Sequence, residues 1–368
     1  MAVAAPEHLV ITTDSVGGIW RYCVDLAGEL ARRGTRVTLA GLGPAPSPGQ
    51  LQEAALAGVE LVWLEAPLDW MTAGQEGAEL GAAALDRLLR KRQPCLLHLN
   101  APPLAPYLTS AVPRLVAAHS CLATWWDSMR NQPLPVEWHG HARAMARGLR
   151  AADVVVAPTA AFAEAMRCVY GSLPSIRVVP NASRPITPAE SKEQFVFAAG
   201  RWWDEAKNLA CLDAAAQEIS WPLQVAGPLH GPQSSAPKPA HLVCLGSLDH
   251  DDIARWLART PIFVSPARYE PFGLAVLEAA SAGAALVLAD IPTFRELWSH
   301  SALLLDPQLP EVWSQAVNRL IEKPDLREEM GRRAQQRAEA FTLARQADRM
   351  LDAYGEAMAA RFRAPVNA

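Results

Sequence analysis

Short runs of β-branched residues and leucine, each closing on a small or polar residue, recur at positions 8–13, 36–42, 59–64, 95–99, 114–119, 153–157 and 176–180. They lack the strict polar/apolar alternation of a half-solvated sheet, so each predicts a strand buried on both faces. Between them lie helical patterns. Ile19, Cys23, Leu26, Ala27 and Leu30 recur at spacings of three and four and stop at Gly34, as one apolar helix face with a terminating glycine requires. After a polar, proline-containing stretch at 182–194 the alternation restarts, with strands predicted at 195–199, 223–226, 241–245, 262–265, 285–289 and 303–306. Alternating strands and helices predict α/β architecture, two doubly wound parallel sheets side by side with a binding crevice between them. The expected domains are 1–185, 186–342 and a C-terminal helix, 343–368, packed back on the first. Phe341, Leu343, Ala347, Leu351 and Tyr354 form that helix's apolar set.

Composition narrows the function classes. A chain of 368 residues, 50% hydrophobic and 20% charged, exceeds what one core usually supports. A net charge of −4 gives no broad field for a phosphate polymer, so nucleic acid is not expected as a partner. The longest apolar run, 273–289, is interrupted by Glu278 and falls short of the ~20 apolar residues a bilayer span needs. No leader-like segment opens the sequence, and the six cysteines form no CxxC pair; both point to a cytoplasmic location with free thiols. The basic run from Arg87 to Arg92 is either a solvated helix face or a weak peripheral contact with anionic lipid.

The most informative segment is 265–278, read as a strand end, a loop and a helix start. Pro271 suits a first helical turn, because its missing N–H would lack a partner there anyway. The amides of Phe272, Gly273 and Leu274 would then open the helix, where they and the dipole favour an anion such as a diphosphate. Glu270 precedes the helix and Glu278 lies two turns inside it. Local physics alone reaches an anion site and no further.

Glu270 and Glu278, with seven residues between them in Arg268-Tyr269-Glu270-Pro271-Phe272-Gly273-Leu274-Ala275-Val276-Leu277-Glu278, carry a pattern that resembles the retaining nucleotide-sugar glycosyltransferases of family 4. Gly17-Gly18-Ile19-Trp20 resembles that family's first-domain glycine loop, and Ala199-Gly200-Arg201 with Lys207-Asn208 its basic phosphate motif. The resemblance runs from about Leu9 to Thr342 and implies the GT-B fold, two Rossmann-like domains with the donor held mainly by the second. It implies Arg201 and Lys207 on the diphosphate, Glu278 on the ribose, Glu270 on the transferred sugar, and Gly246 to Leu248 on the base through their main chain. His119 is implied near the donor sugar, Gly17 and Gly18 on the opposite wall, and His98 and Asn100 as further lining. No metal or cofactor is expected, since fixed cations and helix amides neutralise the leaving diphosphate. The alternatives are an epimerase on the same fold or a noncatalytic sugar-nucleotide binder.

Some features point elsewhere or depart from the pattern. Asp249-His250-Asp251 spells a metal motif of other transferases, but acids opening a helix act as caps. Gly41-Leu42-Gly43 is an incomplete dinucleotide fingerprint. Trp125, Trp126, Trp138, Trp202 and Trp203 are either packing residues or sugar platforms. Ala182 follows Asn181 where the family usually has glycine, Ala284-Ala285 replaces a proline-containing turn, and the loop 227–239 leaves base and acceptor open.

Overall fold

The computed structural model describes residues 6–68, 75–231 and 234–363. Two compact units emerge, Met1–Asn181 together with Leu343–Ala368, and Ala182–Thr342.

The first unit runs β1 (His8–Asp14), α1 (Gly18–Arg32), β2 (Arg36–Leu42), α2 (Pro48–Leu56), β3 (Glu60–Trp63), α3 (Glu76–Arg92), β4 (Leu96–Leu99), β5 (Arg114–Ala117), α4 (Leu122–Met129), α5 (His139–Arg150), β6 (Val154–Ala157), α6 (Ala160–Tyr170) and β7 (Ile176–Val178). The second runs β8 (Val196–Ala199), α7 (Leu209–Ala216), β9 (Leu223–Ala226), β10 (Val243–Gly246), α8 (His250–Arg259), β11 (Ile262–Ser265), α9 (Leu274–Ser281), β12 (Ala285–Ala289), α10 (Pro292–Trp298), β13 (Ala302–Leu305), α11 (Pro310–Glu322) and α12 (Pro324–Ala338). The chain then returns to the first unit as α13 (Leu343–Arg363). Among the described residues, the first sheet has seven strands in the order β3-β2-β1-β4-β5-β6-β7 and the second six, in the order β10-β9-β8-β11-β12-β13. Every pairing is parallel, with Ile11 opposite both Leu39 and His98, and Ile262 opposite both Val196 and Ala285. Each of the thirteen strands lies on a run predicted from the hydrophobic pattern.

Strand order reverses at β1/β4 in one sheet and at β8/β11 in the other. At such a point the connections leave in opposite directions, so a crevice opens at the strands' carboxyl ends. All the loops that follow these four strands lie on that edge.

Helix α13 belongs to the first core because Ala347, Met350, Ala353, Tyr354 and Ala357, at spacings of three and four, are at most 3% exposed. It packs against α1, β5 and β6. Arg33–Asp348 at 2.5 Å and the Arg177–Glu356 pair fasten its rims, adding little beside the buried stripe. The expected apolar set divides here: Phe341 lies ahead of the helix and packs on Phe272 and Trp298 in the second unit. The helix lies on one unit and the aromatic before it on the other. Among the described residues no helix is long and apolar enough to cross a membrane.

The glycines show which close approaches the fold needs. Gly41 and Gly43 are packing residues: a Cβ would meet the Trp63 ring at 1.9 Å and Leu68 at 2.6 Å. Gly227, after β9, has φ +125°, and a Cβ there would stand 1.8 Å from the Gly200 carbonyl oxygen. The loop after β9 therefore crosses the loop after β8 backbone to backbone, an approach that a side chain prevents. Gly227→Ala should destabilise the second unit by ~3 kcal/mol, read as a lower urea midpoint for its transition. An unchanged midpoint would show that the crossing relaxes freely.

Candidate active site

The second unit builds its site from backbone locks. After β8, Gly200 N–H bonds the Ala226 carbonyl at 3.0 Å, and the chain makes a short 3-10 turn at Glu205–Lys207. Asp204 caps that turn by accepting from Ala206 N–H at 3.0 Å. Asn208 leaves it in the left-handed region, φ 58°, a conformation asparagine tolerates better than most residues. Its Nδ2 donates to the carbonyls of Pro266 at 3.1 Å and Pro307 at 2.8 Å. Arg268 N–H reaches the Ala206 carbonyl at 2.8 Å. The loops after β8, β11 and β13 are thus tied into one platform.

On it stands an ion pair: Lys207 Nζ donates to Glu270 Oε2 at 2.7 Å, with the two side chains only 15% and 20% exposed. The predicted phosphate lysine and the predicted sugar carboxylate are therefore direct partners. Arg201 is exposed, its guanidinium 5.5 Å from the Trp203 ring centroid. Trp202 is packing, 4% exposed with Nε1 on the Ala226 carbonyl.

Helix α9 begins later than the sequence suggests. Gly273 is its cap, at φ 90°, and Pro271 lies in the preceding loop. The reason is steric: the chain turns sharply at Gly273, where a Cβ would come within 3.1 Å of the Phe294 ring. The first turn-closing bond, Val276 N–H to the Gly273 carbonyl at 3.1 Å, leaves Leu274 and Ala275 as the opening amides. Phe272 is 3% exposed and packed edge-on to Phe341, so only its main chain is available to a ligand. Glu278 lies on α9, 8% exposed. Gly246 ends β10 at φ +70° with open space about its Cα, and Leu248 follows, half-buried. Asp249 caps α8 by accepting Asp252 N–H at 2.8 Å, so that carboxylate is engaged in capping.

In the first unit Gly17 caps α1 at φ 87° and Gly18 starts it, both exposed. The Asp14 carboxylate fixes the loop by accepting Val16 N–H at 2.7 Å. The loop after β5 carries His119. Predicted at a strand end, it lies two residues beyond β5, whose last paired residue is Ala117. Its Nε2 meets Asn100 Oδ1 at 2.7 Å, and the Tyr22 ring stands edge-on at 4.5 Å. The residue is partly open to solvent, yet packed protein surrounds the ring, and this desolvation lowers its pKa to about 4. His98 is not lining: it is fully buried behind this layer, with Nδ1 2.8 Å from the Tyr354 hydroxyl of α13. Burial, reinforced by His119, holds it at about 3. The sequence does not mark Tyr22 and places Tyr354 only in the apolar set of α13; both bear on the site through tertiary packing. Asn208, named in the sequence only as part of the basic motif, also supplies the left-handed residue that ends the turn before α7.

Both histidines are neutral when folded and take up protons near their ordinary value when unfolded. The unfolded chain therefore binds more protons as pH falls below about 6.5, and stability declines from there towards about 4. His119→Gln should flatten this slope in urea unfolding measured across that range. A slope identical to wild type would mean that His119 titrates normally in the fold.

Comparison with known families gives each unit a match. Residues 16–183 match the profile of Glycosyltransferase Family 4, and residues 181–337 that of Glycosyl transferases group 1. Sucrose-phosphate synthase from Thermosynechococcus elongatus superposes with a TM-score of 0.78 at 19% identity, over 94% of this chain and 97% of that one. Anabaena HepE in complex with UDP-glucose gives 0.74 at 16% identity over 94% and 98%. These likenesses establish the fold. D-inositol 3-phosphate glycosyltransferase from Paenarthrobacter aurescens is 32% identical over 109 residues, 29% of this chain and 27% of that protein. D-rhamnosyltransferase WbpZ from Pseudomonas aeruginosa is 31% identical over 141 residues, 36% and 37% of the two chains. The alignments with these relatives therefore span little more than a third of their length at most. With one profile on each unit and the two meeting at residues 181–183, the chain belongs to the group 1 glycosyl transferases, with GT-B architecture.

Proposed function

We propose that the chain is a retaining glycosyltransferase that moves a sugar from a nucleoside diphosphate to an acceptor hydroxyl. The observation that carries this reading is the Lys207–Glu270 pair at 2.7 Å on the β8/β11 crevice, beside the start of α9. A cation, a carboxylate and opening helix amides are the three groups that a diphosphate joined to a polyhydroxylated ring requires. The presence of UDP-glucose in HepE, a protein of this fold, supports the donor class.

In the free protein Glu270 occupies the ammonium of Lys207. A donor diphosphate exchanges with it: Lys207 turns to the phosphate oxygens, and the released carboxylate accepts from sugar hydroxyls. Arg201 adds charge from the exposed side, and the amides of Leu274 and Ala275 add the helix end. As the bond from the anomeric carbon to the phosphate oxygen breaks, negative charge grows on the diphosphate, where these groups stabilise it. The acceptor oxygen bonds that carbon on the same face, and its proton passes to the departing phosphate oxygen. No side-chain base and no divalent metal take part. Glu278 holds the ribose and the main chain at Gly246 and Leu248 meets the base, while His119, Gly17 and Gly18 serve the sugar and acceptor side. The work is proposed to take place in the cytoplasm, in keeping with six cysteines that all carry free thiols.

Thermal shift against UDP, GDP and ADP tests the donor class. A ligand at 100 times its dissociation constant should add ~2.7 kcal/mol, and no shift with any of them would sink the reading. With the responding nucleotide, Glu278→Ala should weaken binding of the bare diphosphate, because the lost contact is to ribose. Glu270→Ala should bind it at least as tightly, since Lys207 is freed, while transfer falls. Equal losses in both variants would contradict the division of roles.

Lys207→Met should lower turnover by ~10² to 10³, and excess chelator should leave the wild type nearly unchanged. Activity abolished by chelator and restored by manganese, with Lys207→Met still active, would overturn the metal-free mechanism.

A further inference from the structure

We propose that Asn100 is a positioning residue that locks the His119 ring in its Nε2–H form, so that His119 meets a sugar hydroxyl through the lone pair of Nδ1. The inference rests on the proposed transferase reading and assigns the direction of one of its hydrogen bonds.

The argument is a count of donors and acceptors. The Asn100 side chain is 8% exposed, and its amide cannot be turned over. Nδ2 stands 2.7 Å from the Thr12 carbonyl oxygen, which only accepts, and 3.2 Å from Cys23 Sγ. Both N–H bonds are thereby engaged, one on each partner. Burial holds the Cys23 thiol far above its ordinary pKa, so its proton stays in place and points to the same Thr12 carbonyl at 3.4 Å. The Asn100 backbone N–H donates to Thr12 Oγ1 at 2.8 Å, which fixes the residue from its main chain as well. Oδ1 is left to face His119 Nε2 at 2.7 Å. An amide oxygen only accepts, so Nε2 must carry the proton.

A neutral imidazole has one N–H, so Nδ1 then carries the lone pair. Among the described residues no group donates to it. The titratable groups facing the ring are Tyr22 of α1 at 4.5 Å and, behind that, His98 of β4, which bonds Tyr354 of α13. None is a carboxylate that would favour imidazolium, and desolvation disfavours it. His119 is thus built to accept. The hydroxyl it meets must donate its proton and turn its own lone pairs elsewhere.

The nitrogen-15 shifts of labelled histidine report tautomer and charge for each of the nine rings, with His119→Gln identifying the His119 signals. The free wild-type protein at about pH 7 should show His119 neutral and protonated at Nε2. Finding it protonated at Nδ1, or doubly protonated, would overturn the proposal without any reference to substrate. In Asn100→Ala the single tautomer should give way to a mixture. A pattern unchanged from wild type would show that another group sets the ring and would equally overturn it. Asn100→Asp places a carboxylate against Nε2 and should raise the ring's pKa, adding an Nδ1–H signal as the pH is lowered. If that variant does not fold, the wild-type spectrum still decides. Binding of whichever of UDP, GDP and ADP the wild type takes, which the proposed function places on the second unit, should be unchanged in Asn100→Ala. Failure of the wild type to bind UDP, GDP or ADP would refute the transferase reading and leave the tautomer result standing.

Discussion

The site in each unit depends on one constraint: where a parallel sheet reverses its strand order, the two central loops cannot cover each other. At β8/β11 the protein closes that gap through the loops that follow the strands. It bridges the gap with local bonds from Asn208 to the Pro266 and Pro307 carbonyls and from Arg268 to Ala206. The Lys207–Glu270 pair is then held from both sides by backbone. Rigid supports matter for chemistry by charge stabilisation, because groups that need not reorganise contribute most in the transition state.

The first unit meets the same constraint with a buried polar layer. Thr12 lies near the carboxyl end of β1, Asn100 follows β4 and His119 follows β5, so three neighbouring strands each deliver one group to a continuous chain of hydrogen bonds. A partly satisfied network of this kind would be worse than an apolar core. Among the described residues, Nδ1 of His119 is left as an acceptor on the working side. The buried His98 is kept neutral by desolvation and by His119, against which the Asn100 side chain works only weakly.

Much of this was legible in the sequence. Strands buried on both faces leave unbroken apolar runs, and turns that need φ > 0 leave glycine, so the sheets and the loop at Gly17 could be read directly. The position of α9 could not, because Pro271 is as well suited to a loop as to a first turn, and only the packing of Phe272 and Phe294 decides. Nor could the engagement of Lys207 with Glu270, 63 residues away. Sequence spacing identifies which groups are charged; the close approach of two loops determines that they meet. His98 was misplaced for the same reason, since nothing near it in the chain announces Tyr354.

The return of α13 to the first unit bears on how the chain is made. The hydroxyl that His98 bonds belongs to a residue 256 positions later, and Ala347, Met350 and Ala357 close the same core. On the ribosome the first sheet precedes the second unit, but the apolar face under α13 remains uncovered until the whole of Ala182–Thr342 and then α13 have emerged. The second unit, continuous from Ala182 to Thr342, has all its parts sooner. Order of synthesis and order of completion are therefore inverted: the segment translated first is the last to be sealed, and a chain released early exposes the surface that its missing helix would have covered.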